Sequence, residues 1–413
     1  MDIYDVFLLL SLGAGFLMAF NLGANDVANS MASAVGAKAI TVKQAIFIAG
    51  ILNFVGAVFL GSHVTSTVAK GIIDPAGIND PKLIMIGMFA SLLAAALWVL
   101  VATLTALPVS STHSIVGAIL GFGLVAGGPG VVDWLILAGV VASWVISPFF
   151  ALGISFFVFS GIKRKIFARR NFMKHARRWG PLWMGLTMVL IGFSFMYKTP
   201  VGKSLDLSWP AATMVILAAA GIIWGISLYF VHRLPDGGEH EESVEGVEGI
   251  FKRMQVFTSC YVALSQGAND VANAIGPIAA IYVLAKQHAF MAKAEIPIWM
   301  LAVGGLGIAC GIMILGKKVM ITVGERITIL TNTRGFSVDF GAATTVLVAS
   351  KLGLPVSTTH AAVGAVTGVG LARGFKAVDF GVLGRIVVYW VLTVPIAAFT
   401  SILIFQLLRW FII

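Results

Sequence analysis

Two polar octads recur in a very apolar chain: GANDVANS at 23–30 and GANDVANA at 267–274. Each carries one aspartate, Asp26 or Asp270. Each also has two asparagines, Asn25 and Asn29 in the first copy, Asn269 and Asn273 in the second. Carboxylate and carboxamide oxygens grouped this way suit a hard cation such as Na+. A charged side chain at membrane depth costs about 2.5–3.5 kcal/mol on insertion scales, so aspartates there are usually paired or functional. Small Gly23 and Ala24, followed by the cap-forming Asn25 and Asp26, predict a helix that starts near residue 6, breaks at 23–26 and restarts. Carbonyls freed by that break, and the negative ends of half-helices, then join the cation ligands. An aspartate that only caps its half-helix is the simpler alternative, but it leaves Asn29 and Asn273 without a task.

A second pair of motifs has the opposite polarity. LPVSSTHS (107–114) and LPVSTTHA (354–361) each place a proline and a Ser/Thr cluster before a Gly-rich apolar segment. Pro108 and Pro355 stop the preceding segment, and Ser110 or Ser111 caps the next helix. A helix start offers orphan amides and about half a positive charge, which together attract an anion. Ser110, Ser111, Thr112, Ser357, Thr358 and Thr359 are the candidate anion ligands. No Lys or Arg occurs in 19–35, 105–123, 263–281 or 352–370, so dipoles, hydroxyls and cations would hold the anion. His113 and His360 read as hydrogen-bonded packing residues, with a proton-linked role as the alternative.

The elements that must position these groups are membrane helices. Of 413 residues 59% are hydrophobic and 11% charged, against about 25% charged in soluble domains. Apolar stretches at 6–20, 44–60, 83–107, 134–160, 181–197, 209–231, 297–315 and 379–408 are long enough, or nearly so, to cross a bilayer. The class is an all-α polytopic membrane protein. The acidic start MDIYD lacks the basic n-region of a cleavable signal. Cys260 and Cys310 lie in apolar surroundings and imply neither disulfide nor metal framework. The net charge of +10 does not point to nucleic acid: eight of the 28 basic residues fall in 163–178, between two apolar segments, as in a cytoplasmic loop.

The octads, the PVS motifs, and the pair WVISP (144–148) and WVLTVP (390–395) recur in one order at nearly constant offset. The chain therefore reads as a duplicated unit, 1–160 and 251–413, around an insert at 161–250. Five spans per half and two in the insert give twelve crossings, so the halves are inverted. With residue 1 outside, 20 of the 28 basic residues are cytoplasmic, against eight in the reverse orientation. The acidic, Gly-punctuated stretch 232–249 reads as a solvated connector. Convergent half-helices and buried carboxylates favour a secondary transporter, with a channel and an intramembrane aspartyl enzyme as rivals; no enzyme is expected.

Paired GANDVAN octads and PVS(S/T)TH segments over the whole chain resemble the inorganic phosphate transporter family, the PiT or Pho-4 type. The resemblance implies cation-coupled uptake of inorganic phosphate through a plasma-membrane protein with twelve spans, both termini outside, and a homodimeric state. Family members couple to Na+ or H+, and a related branch carries sulfate. The motif aspartates fall on Asp26 and Asp270, and Na+ is the expected coupling ion, with no other cofactor. Some eukaryotic members carry a glutamate where this chain has Asn53, and a second acidic position appears here as Asp339. Asn21 and Gln266, just before the two octad glycines, differ between halves and would accept the proton of a phosphate.

Overall fold

The computed structural model describes residues 3–61, 72–74, 77–78, 80–198, 202, 205–233, 244–287, 296–351 and 356–412. Among these are thirteen α-helices: α1 (Ile3–Gly36), α2 (Val42–Leu60), α3 (Pro81–Leu104), α4 (Ser111–Gly127), α5 (Trp134–Ile162), α6 (Phe172–Lys198) and α7 (Trp209–His232), then α8 (Val244–Gln287), α9 (Ile298–Leu315), α10 (Lys317–Arg326), α11 (Asn332–Lys351), α12 (Thr358–Arg373) and α13 (Phe380–Ile412). Against the twelve crossings expected, eight helices among the described residues are long and apolar enough to cross a bilayer. The chain is a multi-pass membrane protein.

The octads do not break their helices. α1 runs unbroken through 23–30, and α8 through 267–274. Asn and Asp cost at most about 0.7 kcal/mol each inside a helix, whereas each backbone group left unpaired in apolar surroundings costs several. The intact helix wins, and no octad carbonyl is freed for a cation. The glycines serve close packing instead. A Cβ on Gly23 would lie 1.9 Å from the Ile308 carbonyl oxygen of α9, and one on Gly267 would lie 2.1 Å from the Asn53 carbonyl oxygen of α2.

The chain is non-helical just before each Ser/Thr cluster, at 108–110 and at 356–357. Between α3 and α4, Ala106 adopts φ +58°, and Asn25 replaces two of the lost backbone partners. Its Nδ2 donates to the Leu107 carbonyl (3.0 Å) and its Oδ1 accepts from the Val109 amide (3.2 Å). Pro355 lies outside the described residues.

Packing is reciprocal between the two halves. α1 packs on α9, and α8 on α2; α4 packs on α13, and α12 on α5. Gly117 and Gly121 of α4 abut the carbonyls of Val394 and Ala398, while Gly364 and Gly368 of α12 abut those of Pro148 and Leu152. Matching aspartates cap the long helices of this second set: Asp133 accepts from the Leu135 and Ile136 amides, and Asp379 from those of Gly381 and Val382.

The connector expected over 232–249 is shorter than that. Residues 234–243 lie outside the described residues, and 244–249 already belong to α8. Glu248 has a structural task there, accepting from the Thr333 amide (2.8 Å) and from the Thr331 and Thr333 hydroxyls (2.8 and 2.7 Å) at the start of α11. Residue 250, the expected end of the insert, is therefore inside a continuous helix.

Candidate functional site

Asp26 occupies the junction of the two Ser/Thr helix starts. One carboxylate oxygen accepts from Ser111 Oγ of α4 at 2.7 Å. The other accepts from Thr359 Oγ1 of α12 and from Asn29 Nδ2 of its own helix, both at 3.3 Å. Thr359 is also tied to the loop before α4, through the Val109 carbonyl at 3.2 Å. The side chain is 1% exposed. A buried carboxylate with hydroxyl and amide donors on both oxygens is satisfied without a basic partner, which explains how an aspartate persists at this depth.

Asn29 and Asn273 reach across to the opposite half. Asn29 Nδ2 lies 3.3 Å from Thr358 Oγ1 and 3.0 Å from Thr359 Oγ1, while Asn273 Nδ2 donates to Thr112 Oγ1 at 3.3 Å. Asn25 points to α3 and the loop beyond it, bonding Thr103 Oγ1 at 3.2 Å as well as the backbone groups above. Ser110 and Ser357 are caps: their hydroxyls accept the His113 and His360 amides at 3.2 Å.

The two halves differ at the aspartates. Asp270, 3% exposed, is bonded by Asn269 Nδ2 at 3.2 Å and neighbours the Gln266 carboxamide, and among the described residues neither helix start donates to it. Gln266 joins the cluster by donating from Nε2 to the Asp26 backbone carbonyl, and its Oε1 is buried without a partner. Asn21 does not join. Its Nδ2 bonds the Ala96 carbonyl of α3 at 2.9 Å, one turn away on α1, although its Oδ1 is likewise unpartnered.

The acidic positions singled out by the resemblance fall elsewhere. Asn53 bonds the Ala49 carbonyl of its own helix at 2.9 Å. Asp339 of α11 forms a separate buried node between α1 and α8, accepting from Ser33 and Ser259 Oγ at 2.5 Å and from Thr258 Oγ1 at 3.2 Å. Residue type marked none of those hydroxyls in advance, because serines in apolar helices are common.

Chemically, hydrogen bonds gather at the two helix starts the Ser111, Thr112, Thr358 and Thr359 hydroxyls, Asp26 and the Asn29, Asn273 and Gln266 carboxamides, with Asp270 close enough to act electrostatically on Asp26. The helix ends and hydroxyls match a tetrahedral oxyanion. The Asp26, Asp270 and carboxamide oxygens match Na+, and the residues present fit that ion without requiring freed octad carbonyls. A crevice between α8 and α11 reaches Asn29, Gln266 and Thr358, with Tyr261 and Leu347 among its walls.

Known proteins resemble the chain over nearly its whole length. A family model described as the phosphate transporter family matches residues 22–401. A protein of Pyrococcus abyssi, named as a candidate phosphate permease, is 49% identical over 409 residues, covering 98% of each chain. Inorganic phosphate transporter 2-1 of Arabidopsis thaliana, named as chloroplastic, is 40% identical, covering 93% of this chain and 69% of its own. A solved structure described as the sodium-dependent phosphate transporter matches with a TM-score of 0.90 at 46% identity, over 98% of this chain and 99% of that one.

Proposed function

Since the chain belongs to the phosphate transporter family, we propose that it imports inorganic phosphate by Na+ symport, through alternating access at the Asp26 cluster. The observation that carries this reading is the Asp26 carboxylate, held at once by Ser111 of one helix start and Thr359 of the other. A cation bound at that carboxylate sits beside the anion's donors, so each ion screens the other's charge. Thermodynamics asks for such coupling. With an interior-negative potential, a dianion entering faces roughly 4.6 kcal/mol per 100 mV, at about 2.3 for each charge. Two Na+ cancel that charge, and two aspartates of matching position supply two sites.

The roles assigned are anion binding for Ser111, Thr112, Thr358, Thr359 and Gln266, with Ser110 and Ser357 capping the two helix starts, and Na+ binding for Asp26, Asn29, Asn269, Asp270 and Asn273, with Asn25 bracing the chain before α4. Asn21, on α1, is assigned a supporting contact to α3 rather than to phosphate. The halves 1–160 and 251–413 are inverted in the membrane in this reading. The reciprocal glycine contacts support it, since a two-fold relation pairs surfaces in that manner. Residence in the plasma membrane, both termini outside, and a homodimer complete the proposal.

Proteoliposomes with an imposed Na+ gradient should accumulate labelled phosphate uphill, with sulfate a poor competitor. Uptake driven equally well by a proton gradient without Na+ would refute Na+ coupling, and passive flux alone would favour a channel.

A further inference from the structure

Two guanidinium groups share one acceptor where α11 begins and α12 ends. Arg373, in the last turn of α12, donates from Nη1 to Thr328 Oγ1 at 3.1 Å and to the Ile329 carbonyl at 3.2 Å. Arg334, the third residue of α11, donates from its own Nη1 to that same carbonyl at 3.1 Å. The two Nη1 atoms therefore stand no farther apart than these two bonds placed end to end. Among the described residues, no carboxylate is bonded to either side chain. The acids of this region serve as caps: Glu248 holds the Thr331 and Thr333 groups, and Asp379 the Gly381 and Val382 amides. The Arg373 charge acts on Arg334 more strongly than the opposite charge of Glu248 does. Arg334 Nε is buried without a hydrogen-bond partner, and buried polar atoms left unpaired call for an explanation.

The fold does not need this pair. A helix C-terminus favours one cation, which Arg373 supplies to α12. In the first half, however, α4 ends without a basic residue, and Lys82 at the start of α3 is exposed. The same junction closes there through the backbone: the Asp133 amide meets the Ile72 carbonyl, as the Asp379 amide meets that of Ile327. We propose that Arg334 and Arg373 form an anion site, separate from the Asp26 cluster, that takes a phosphate group, either free or carried by a lipid headgroup. A phosphate between them accepts a fork of N–H donors from each guanidinium and supplies the counter-charge that no acid provides. Lys376, three residues beyond Arg373, is exposed and adds positive charge. The neighbourhood favours the lipid. Ile329, Phe375 and Phe380 are exposed, and α13, which starts at Phe380, is apolar enough to cross a bilayer. Cations set beside apolar surface at the end of a span are what an anionic lipid covers, phosphate on one and acyl chains on the other.

Calorimetric titration of the detergent-solubilised protein tests this with dioctanoyl phosphatidylglycerol, dioctanoyl phosphatidylcholine and inorganic phosphate as separate probes. Arg334→Gln and Arg373→Gln should each weaken the phosphatidylglycerol Kd by about tenfold or more, the loss expected for a charge-assisted hydrogen bond. The zwitterionic phosphatidylcholine should bind wild type and variants alike. A loss confined to inorganic phosphate supports the site and makes the free anion its ligand. Arg169→Gln, in the exposed basic stretch 163–178, should change no Kd. Loss of binding there and not at the pair assigns the effect to diffuse surface charge and overturns the site. Unchanged affinities for phosphatidylglycerol and phosphate in both arginine variants overturn it as well. Should the glutamine variants not fold, Arg334→Lys and Arg373→Lys keep the charge and lose the fork. A weakened Kd for either anionic probe then supports the site, and equal Kd values overturn it.

Discussion

Asp26 and Asp270 occupy equivalent places in two copies of one motif, yet their surroundings differ. Asp26 accepts from both helix starts, Asp270 from neither. Hydrogen bonds to a charged group contribute about 1.5–3 kcal/mol each. Asp26→Asn should therefore lower both the melting temperature in detergent and the apparent Na+ affinity of uptake, the latter tenfold or more, since about 1.4 kcal/mol is tenfold. Asp270→Asn should weaken Na+ dependence with a smaller loss of melting temperature. Unchanged uptake at limiting Na+ in both variants would remove the cation assignment. Ser110 and Ser111 make a similar contrast. Ser110→Ala loses a cap, about 1 kcal/mol of stability, whereas Ser111→Ala should chiefly raise the KM for phosphate. The residue types of this cluster were legible in the sequence because the motif is written twice. The difference between the aspartates was not, since it depends on which helix start comes within reach of which carboxylate.

Elements carried the largest disagreement between sequence and structure. Local propensity places a break at Gly23–Asp26, and the helix continues there because α9 packs against that glycine closely enough to exclude any side chain. A rule that weighs neighbours along the chain has no access to a carbonyl 285 positions away, at Ile308. Gly23→Ala should accordingly destabilise the protein by about 3 kcal/mol or more, because the clashing atom is backbone and cannot rotate away. Gly13→Ala, on the same helix with nothing within 4 Å of the added carbon, should be neutral or stabilising by about 0.5–1 kcal/mol. Thermal melts of the two variants side by side test the point; equal melting temperatures would mean that the α1–α9 contact is looser than described. The break before α4 was legible because Pro108 is followed two residues later by a capping serine, which the prolines inside α5, α6, α8 and α13 lack. The repeated tryptophans 144 and 390 were visible too, but their stacking on His113 and His360 was not.

At the scale of the molecule, charge makes the testable statement. Twenty of 28 basic residues share one side under the proposed orientation. In a variant lacking Cys260 and Cys310, a cysteine placed at Arg170 should react with an impermeant maleimide only in opened membranes, and one placed at Asp5 in intact cells. Labelling of both from the same side would defeat the inverted arrangement. The class and the duplication were plain from composition and repeats, whereas helix packing had to be seen. That packing has a consequence for how the protein is made. Because α1 leans on α9, α8 on α2, α4 on α13 and α12 on α5, the halves are interlocked partners rather than neighbouring domains. Cut between α7 and α8, the chain should behave as an obligate heterodimer: two fragments produced together regain transport, and either one produced alone is degraded.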